Sequence, residues 1–133
     1  MPFVLFSPGI VVLATADALQ AMQYNEVTPQ RLMWRHLAGD WGELPLHARR
    51  ANDRQAAAGS GNIVSRYRLD DGELVLVSTD FAAASTVISQ PGDDRELRRC
   101  ITGWRGSLHH IIPPMVPHFM VPIDLTPFPA PVP

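Results

Sequence analysis

The chain contains no lysine. All eleven of its basic residues are arginine, so every formal positive charge is a planar fork that matches carboxylate or phosphate. It has one cysteine, Cys100, which excludes an internal disulfide and fits a reducing compartment. No apolar run approaches the roughly 18 residues needed to cross a bilayer. The first residues, Met1 to Phe6, lack a basic flank, and Pro8-Gly9 interrupts the apolar stretch. A signal peptide is therefore not expected, and the expected location is the cytoplasm. There is no phosphate loop or dinucleotide fingerprint, because Gly59-Ser60-Gly61 follows a helical pattern rather than a strand. No Cys-x-x-Cys spacing occurs. His109, His110 and His118 lie with Cys100 in a stretch too irregular for convergent metal ligation, so neither metal nor cofactor is expected.

What is present is an ordinary globular composition in 133 residues, enough for one core. Net charge is −2, and residues 1–97 carry 8 arginines against 12 acidic residues, a balance of −4. Such a surface does not attract DNA or anionic membrane by its bulk field, so a nucleic-acid partner would need a local arginine patch.

Along the chain, residues 9–14 (GIVVLA) read as a buried strand. Thr15 suits a helix N-cap, with Asp17 in the first turn and a short stripe of Ala18, Leu19 and Met22. Thr28-Pro29 starts a second helix whose Leu32, Met33, His36 and Leu37 share one face, and Gly39 ends it. Pro45 starts a third, running to about Ala58, in which Arg49 and Asp53 are spaced to pair. The period then becomes two. Ile63, Ser65, Tyr67 and Leu69 line one strand face and Val64, Arg66 and Arg68 the other. Asp70-Asp71-Gly72 signals a tight hairpin onto a return strand through Thr79, and residues 85–89 form a third strand of this unit.

The expected fold is α+β. An N-terminal strand and two to three helices pack on a small, mostly antiparallel sheet, and Leu32, Trp41, Tyr67 and Leu76 face a common interior. Residues 1–97 form this domain. Residues 98–133 form an irregular tail, with eight prolines between Pro113 and Pro133, fit either for extended packing over the domain or a partner or for a disordered terminus, and not for helix or central strand. Truncation before Pro113 is expected to leave the domain folded.

The densest motif is Arg35-His36-Leu37-Ala38-Gly39-Asp40-Trp41-Gly42. Together with Ser7-Pro8-Gly9, Thr28-Pro29, Asn52, Ser65-x-Tyr67, Asp71-Gly72, Thr79-Asp80, Thr86 and Pro91, it resembles a group of small, uncharacterised proteins of bacterial plasmids and other mobile elements. The chain departs from that group in two places. Ala82-Ala83-Ala84 stands where the group usually carries Asp-Arg-Ser, and His47-Ala48 stands where an acidic residue precedes Asn52.

Three constellations carry any chemistry. His36 beside Asp40 is a candidate base with an orienting partner. In the structural alternative His36 is a core residue or caps the last helix carbonyls, Asp40 ties the turn, and Trp41 plugs the helix–sheet seam. Asn52, Ser65, Arg66, Tyr67 and Thr79 follow an element order that resembles barnase-type and RelE-type ribonucleases, in which His36 would be the base and Arg66 and Tyr67 would handle phosphate. The structural alternative is a solvated arginine face with Tyr67 under the helices. Arg49, Arg50 and Arg54 could extend a patch with Arg66 and Arg68, or form an ordinary charged helix face.

The favoured expectation is a non-catalytic accessory protein of a mobile element. It would bind a protein, or a nucleic acid, through Asp40, Trp41, Arg49, Arg50, Asn52, Arg54 and Arg68, with no membrane association. The alternatives are a metal-independent ribonuclease or toxin, and an anti-restriction or anti-CRISPR inhibitor.

Overall fold

The computed structural model describes residues 4–91 and 120–125. Cys100, the arginines from Arg95 onward, and His109, His110 and His118 lie outside the described residues. The elements are β1 (Val11–Thr15), α1 (Ala16–Tyr24), α2 (Pro29–Leu37), α3 (Leu46–Ala58), β2 (Asn62–Arg68), β3 (Leu74–Asp80), β4 (Ser85–Ser89) and β5 (Met120–Pro122). The fold is α+β, with a five-stranded mixed sheet in the order β2-β3-β4-β1-β5. Three of its strand pairs are antiparallel, and β1 runs parallel to β4.

Local chemistry starts each helix. Thr15 Oγ1 accepts the Ala18 N–H at 3.1 Å and Thr28 Oγ1 accepts the Arg31 N–H at 3.2 Å, each satisfying a donor the first turn cannot pair internally. Pro29 follows Thr28 at the first helical position. Pro45 is the N-cap of α3, and Gly59 ends that helix in the left-handed region. The hairpin joins β2 and β3 in the register Arg68↔Leu74. Its three-residue loop, 70–72, is the one expected from pairing residues 62–69 with 73–80. Leu69 N donates to Glu73 O at 2.8 Å and Gly72 N to Leu69 O at 2.9 Å, around a left-handed Gly72.

All three helices cover one sheet face, α3 over β2, α2 over β3, and α1 over β1 and β4. That face supplies Val12, Ala14, Ile63, Tyr67, Val75, Val77 and Ile88 to a core completed by Met22, Leu32, Met33, Leu37 and Trp41. Burying such side chains contributes roughly 1.5–3 kcal/mol each. Leu76 departs from expectation. It pairs with Arg66 on the opposite face and is only half-buried, while Val75 and Val77 occupy the interior.

Residues 120–125 belong to the domain. Met120 is buried, and Ile123 and Leu125 pack against the core. Ile123 N donates to Val12 O at 2.8 Å, so Pro122, one residue earlier, turns its missing N–H toward the open side of the edge.

A buried histidine relay and an edge-strand clasp as the candidate functional site

The motif between α2 and α3 wraps the outer edge of β2. Arg66 N donates to Trp41 O at 3.0 Å, and Glu43 N donates to Arg66 O at 2.7 Å. Asn52 Nδ2 reaches Val64 O at 2.9 Å, and Gln55 Oε1 accepts the Asn62 N–H at 2.7 Å. Backbone groups along a strand edge that would otherwise face solvent or a foreign strand are thus paired internally. Gly42 sits against Arg66, with φ +76°, and a Cβ there would lie 2.0 Å from Arg66 O, so only glycine fits.

The remaining motif residues brace this clasp. Arg35 Nε pairs with Asp40 Oδ2 at 2.7 Å, and its guanidinium lies 4.4 Å from the centre of the Tyr67 ring. The Tyr67 hydroxyl donates to Asp40 O at 2.6 Å. Asp40 Oδ1 accepts the Gly42 N–H at 3.2 Å, the turn-tying bond expected of it. Partial burial works to raise the Asp40 carboxyl, but Arg35, through its hydrogen bond and charge, and the Gly42 N–H hold it below the ordinary aspartate value. Burial raises the Tyr67 phenol well above its usual value. The Trp41 indole N–H donates to Asp53 Oδ1 at 2.9 Å. Asp53 therefore meets Trp41, and the Arg49–Asp53 pair is not among the ion pairs of the described residues.

His36 is fully buried. Its Nδ1 lies 2.6 Å from Ser65 Oγ and its Nε2 lies 2.8 Å from Thr79 Oγ1. Thr79 Oγ1 lies 2.7 Å from Thr86 Oγ1, which donates to Pro8 O at 2.7 Å. The imidazole thus joins α2 to β2 and β3 rather than capping the end of α2. The rings of Phe6 and Trp41 stand edge-on to it at 5.2 and 5.9 Å. Desolvation lowers its pKa to about 3, so the ring is neutral at physiological pH.

The expected ribonuclease trio does not share one face. His36 and Tyr67 point into the core, whereas Arg66 lies on the other side of β2 with Nε on Glu43 O at 3.0 Å. Arg68 Nε binds both Glu43 carboxylate oxygens at 3.1 and 3.0 Å, which raises the Arg68 pKa further. Glu43 went unnoticed in the sequence. Its adjacency to the motif was visible, but its partners lie a long way downstream. Gln55 was missed for the same reason. Arg49, Arg50 and Arg54 remain exposed on α3. Among the described residues no buried side-chain polar atom lacks a partner, and no cluster of three His, Cys, Asp or Glu side chains could hold a metal. No helix among them is long and apolar enough to cross a membrane.

Comparison with protein-family models, with curated proteins and with solved structures gives no match.

Proposed function

We propose that the chain is a non-catalytic binding protein, an accessory component of a mobile genetic element that acts on a protein partner in the cytoplasm. One observation carries the reading. His36, the candidate base of the motif, is sealed in the core with both ring nitrogens hydrogen-bonded, and the Asp40 carboxylate is held by Arg35 and the Gly42 N–H. A general base must reach the proton it removes, and phosphodiester cleavage needs positive charge where negative charge develops. The arginines around the site are already engaged, Arg35 by Asp40 and Arg66 and Arg68 by Glu43. The resemblance to plasmid proteins supports the mobile-element setting.

The contact surface in this reading is the outer face of α3. His47, Arg50 and Arg54 recur there at helical spacing beside the half-exposed Leu46. Asp53, the acid of that helix, is held by Trp41. The negative whole-chain charge favours an acidic protein patch over nucleic acid as the partner of these arginines.

The test is affinity capture from a host carrying the element, comparing the wild type with Arg50→Glu/Arg54→Glu and checking both for an unchanged circular dichroism spectrum. Loss of a specific partner in the double variant supports the reading. Metal-independent RNA cleavage abolished by His36→Ala or Arg66→Ala, with folding intact, replaces it with the ribonuclease.

A further inference from the structure

The hydrogen-bond chain through His36 has a direction, and its far end sets it. A backbone carbonyl only accepts, so Thr86 commits its hydroxyl hydrogen to Pro8 O. Toward Thr79 it must then accept, which makes Thr79 the donor of that bond. Thr79 has one hydroxyl hydrogen, so toward the ring it accepts, and His36 Nε2 carries the proton. Nδ1 is left as the acceptor of the Ser65 hydroxyl. The buried ring is therefore the neutral Nε2–H tautomer.

We propose that this directed chain is an acid-operated latch between α2 and the sheet, which holds only while Nδ1 of His36 accepts from Ser65. A proton on Nδ1 would force the Ser65 hydroxyl to turn its hydrogen away from the ring, toward the Tyr67 phenol, and would place an uncompensated charge among apolar side chains. No carboxylate is placed to stabilise it. On α2, Arg35 is at the surface, paired with Asp40. In the following loop, Asp40 is spent on Arg35 and the Gly42 N–H, and Trp41 shows the ring its edge. β2 offers Ser65 and Tyr67, whose hydroxyl donates to Asp40 O. β3 offers Thr79, with Asp80 on the opposite face, and β4 offers Thr86. On α3, Asp53 accepts from Trp41, and the N-terminal segment contributes Phe6.

The depressed His36 pKa agrees with this geometry. An unfolded chain takes up this proton near pH 6.5. Below that value it binds one proton more than the folded chain, so stability falls as pH falls. The folded-to-unfolded ratio should lose a factor of about ten per pH unit from this residue alone, down toward the folded-state value near 3.

The experiment uses the full chain with 15N-labelled histidine. Long-range proton–nitrogen spectra from pH 8 down to 5 should show His36 as the unchanging Nε2–H tautomer for as long as the fold persists. Denaturant unfolding of wild type and His36→Gln should run parallel above about pH 6.5 and diverge below it, the wild type approaching a loss about tenfold greater per pH unit. The comparison cancels the other four histidines. An Nδ1–H tautomer, a His36 signal titrating near pH 6.5 in the folded protein, or equal slopes in the two proteins would overturn the proposal. If His36→Gln does not fold, the wild-type spectra decide alone.

Discussion

Trp41 on the loop and Asp53 on α3 are joined by a single hydrogen bond of 2.9 Å, and through it the strand-edge clasp is fastened to a helix. Trp41 also stacks on Phe6, with ring centres 6.1 Å apart. Trp41→Ala removes both the bond and the packing and should cost about 3–5 kcal/mol. Asp53→Ala removes only the bond and should cost about 1 kcal/mol. Urea unfolding of the two variants measures the difference. A mild Trp41→Ala would mean that the loop is not fastened this way.

Two left-handed glycines separate backbone strain from collision. At Gly59 an added Cβ meets nothing within 4 Å, whereas at Gly42 it meets the Arg66 carbonyl. Gly59→Ala should therefore cost only the conformational penalty, about 1–2 kcal/mol. Gly42→Ala should abolish cooperative folding. Thermal melts that place the two variants together would contradict the clasp.

Glu26 carries the opposite error, a side chain where glycine would serve better. It follows α1 with φ 56°. Val27 N donates to Met22 O at 2.8 Å and Glu26 N to Gln23 O at 3.1 Å, the paired bonds of a Schellman ending. Glu26→Gly should raise stability by about 1 kcal/mol, read as a higher denaturation midpoint with an unchanged slope.

Alkali should unfold the protein through Tyr67. The unfolded chain releases this proton near the ordinary value of about 10. The folded chain holds it to higher pH because the phenol is buried. Stability is thus complete below pH 10 and falls as pH rises beyond it. Tyrosinate absorbance from Tyr67 should appear together with loss of the far-ultraviolet signal, and Tyr67→Phe should flatten the alkaline limb. Ionisation of Tyr67 before unfolding would refute the assignment.

Truncation before Pro113 removes β5 and uncovers β1. The shortened chain should still unfold cooperatively, but with stability reduced by at least the roughly 1.5–3 kcal/mol that a side chain such as Met120 supplies on burial. An unchanged midpoint would show that β5 adds nothing.

Most of the helical layer was legible because its signals are local. A threonine before a proline, glycines after apolar stripes, and the shared face of Leu32, Met33, His36 and Leu37 each act within a few residues. Leu76 was misplaced because Leu74-Val75-Leu76-Val77 is apolar at every position and has no readable period. The hairpin register could have corrected it, since pairing Tyr67 with Val75 forces Leu76 opposite Arg66. β5 was hidden among prolines. At the candidate site the residue types were visible, but not that they are one another's partners. Glu43 with Arg68, Asn52 with the Val64 carbonyl, and His36 with Ser65 and Thr79 are contacts between segments distant in the chain.

The position of β1 bears on how the protein is made. It leaves the ribosome before the other described strands, yet its neighbours in the sheet are β4 and β5. Both are translated only after the three helices and the hairpin. Throughout that interval the nascent chain carries a β-branched, apolar strand with neither edge paired. Such a delay slows folding and invites association between chains. A holding chaperone that covers β1 until β4 and β5 emerge should therefore improve the yield of this protein.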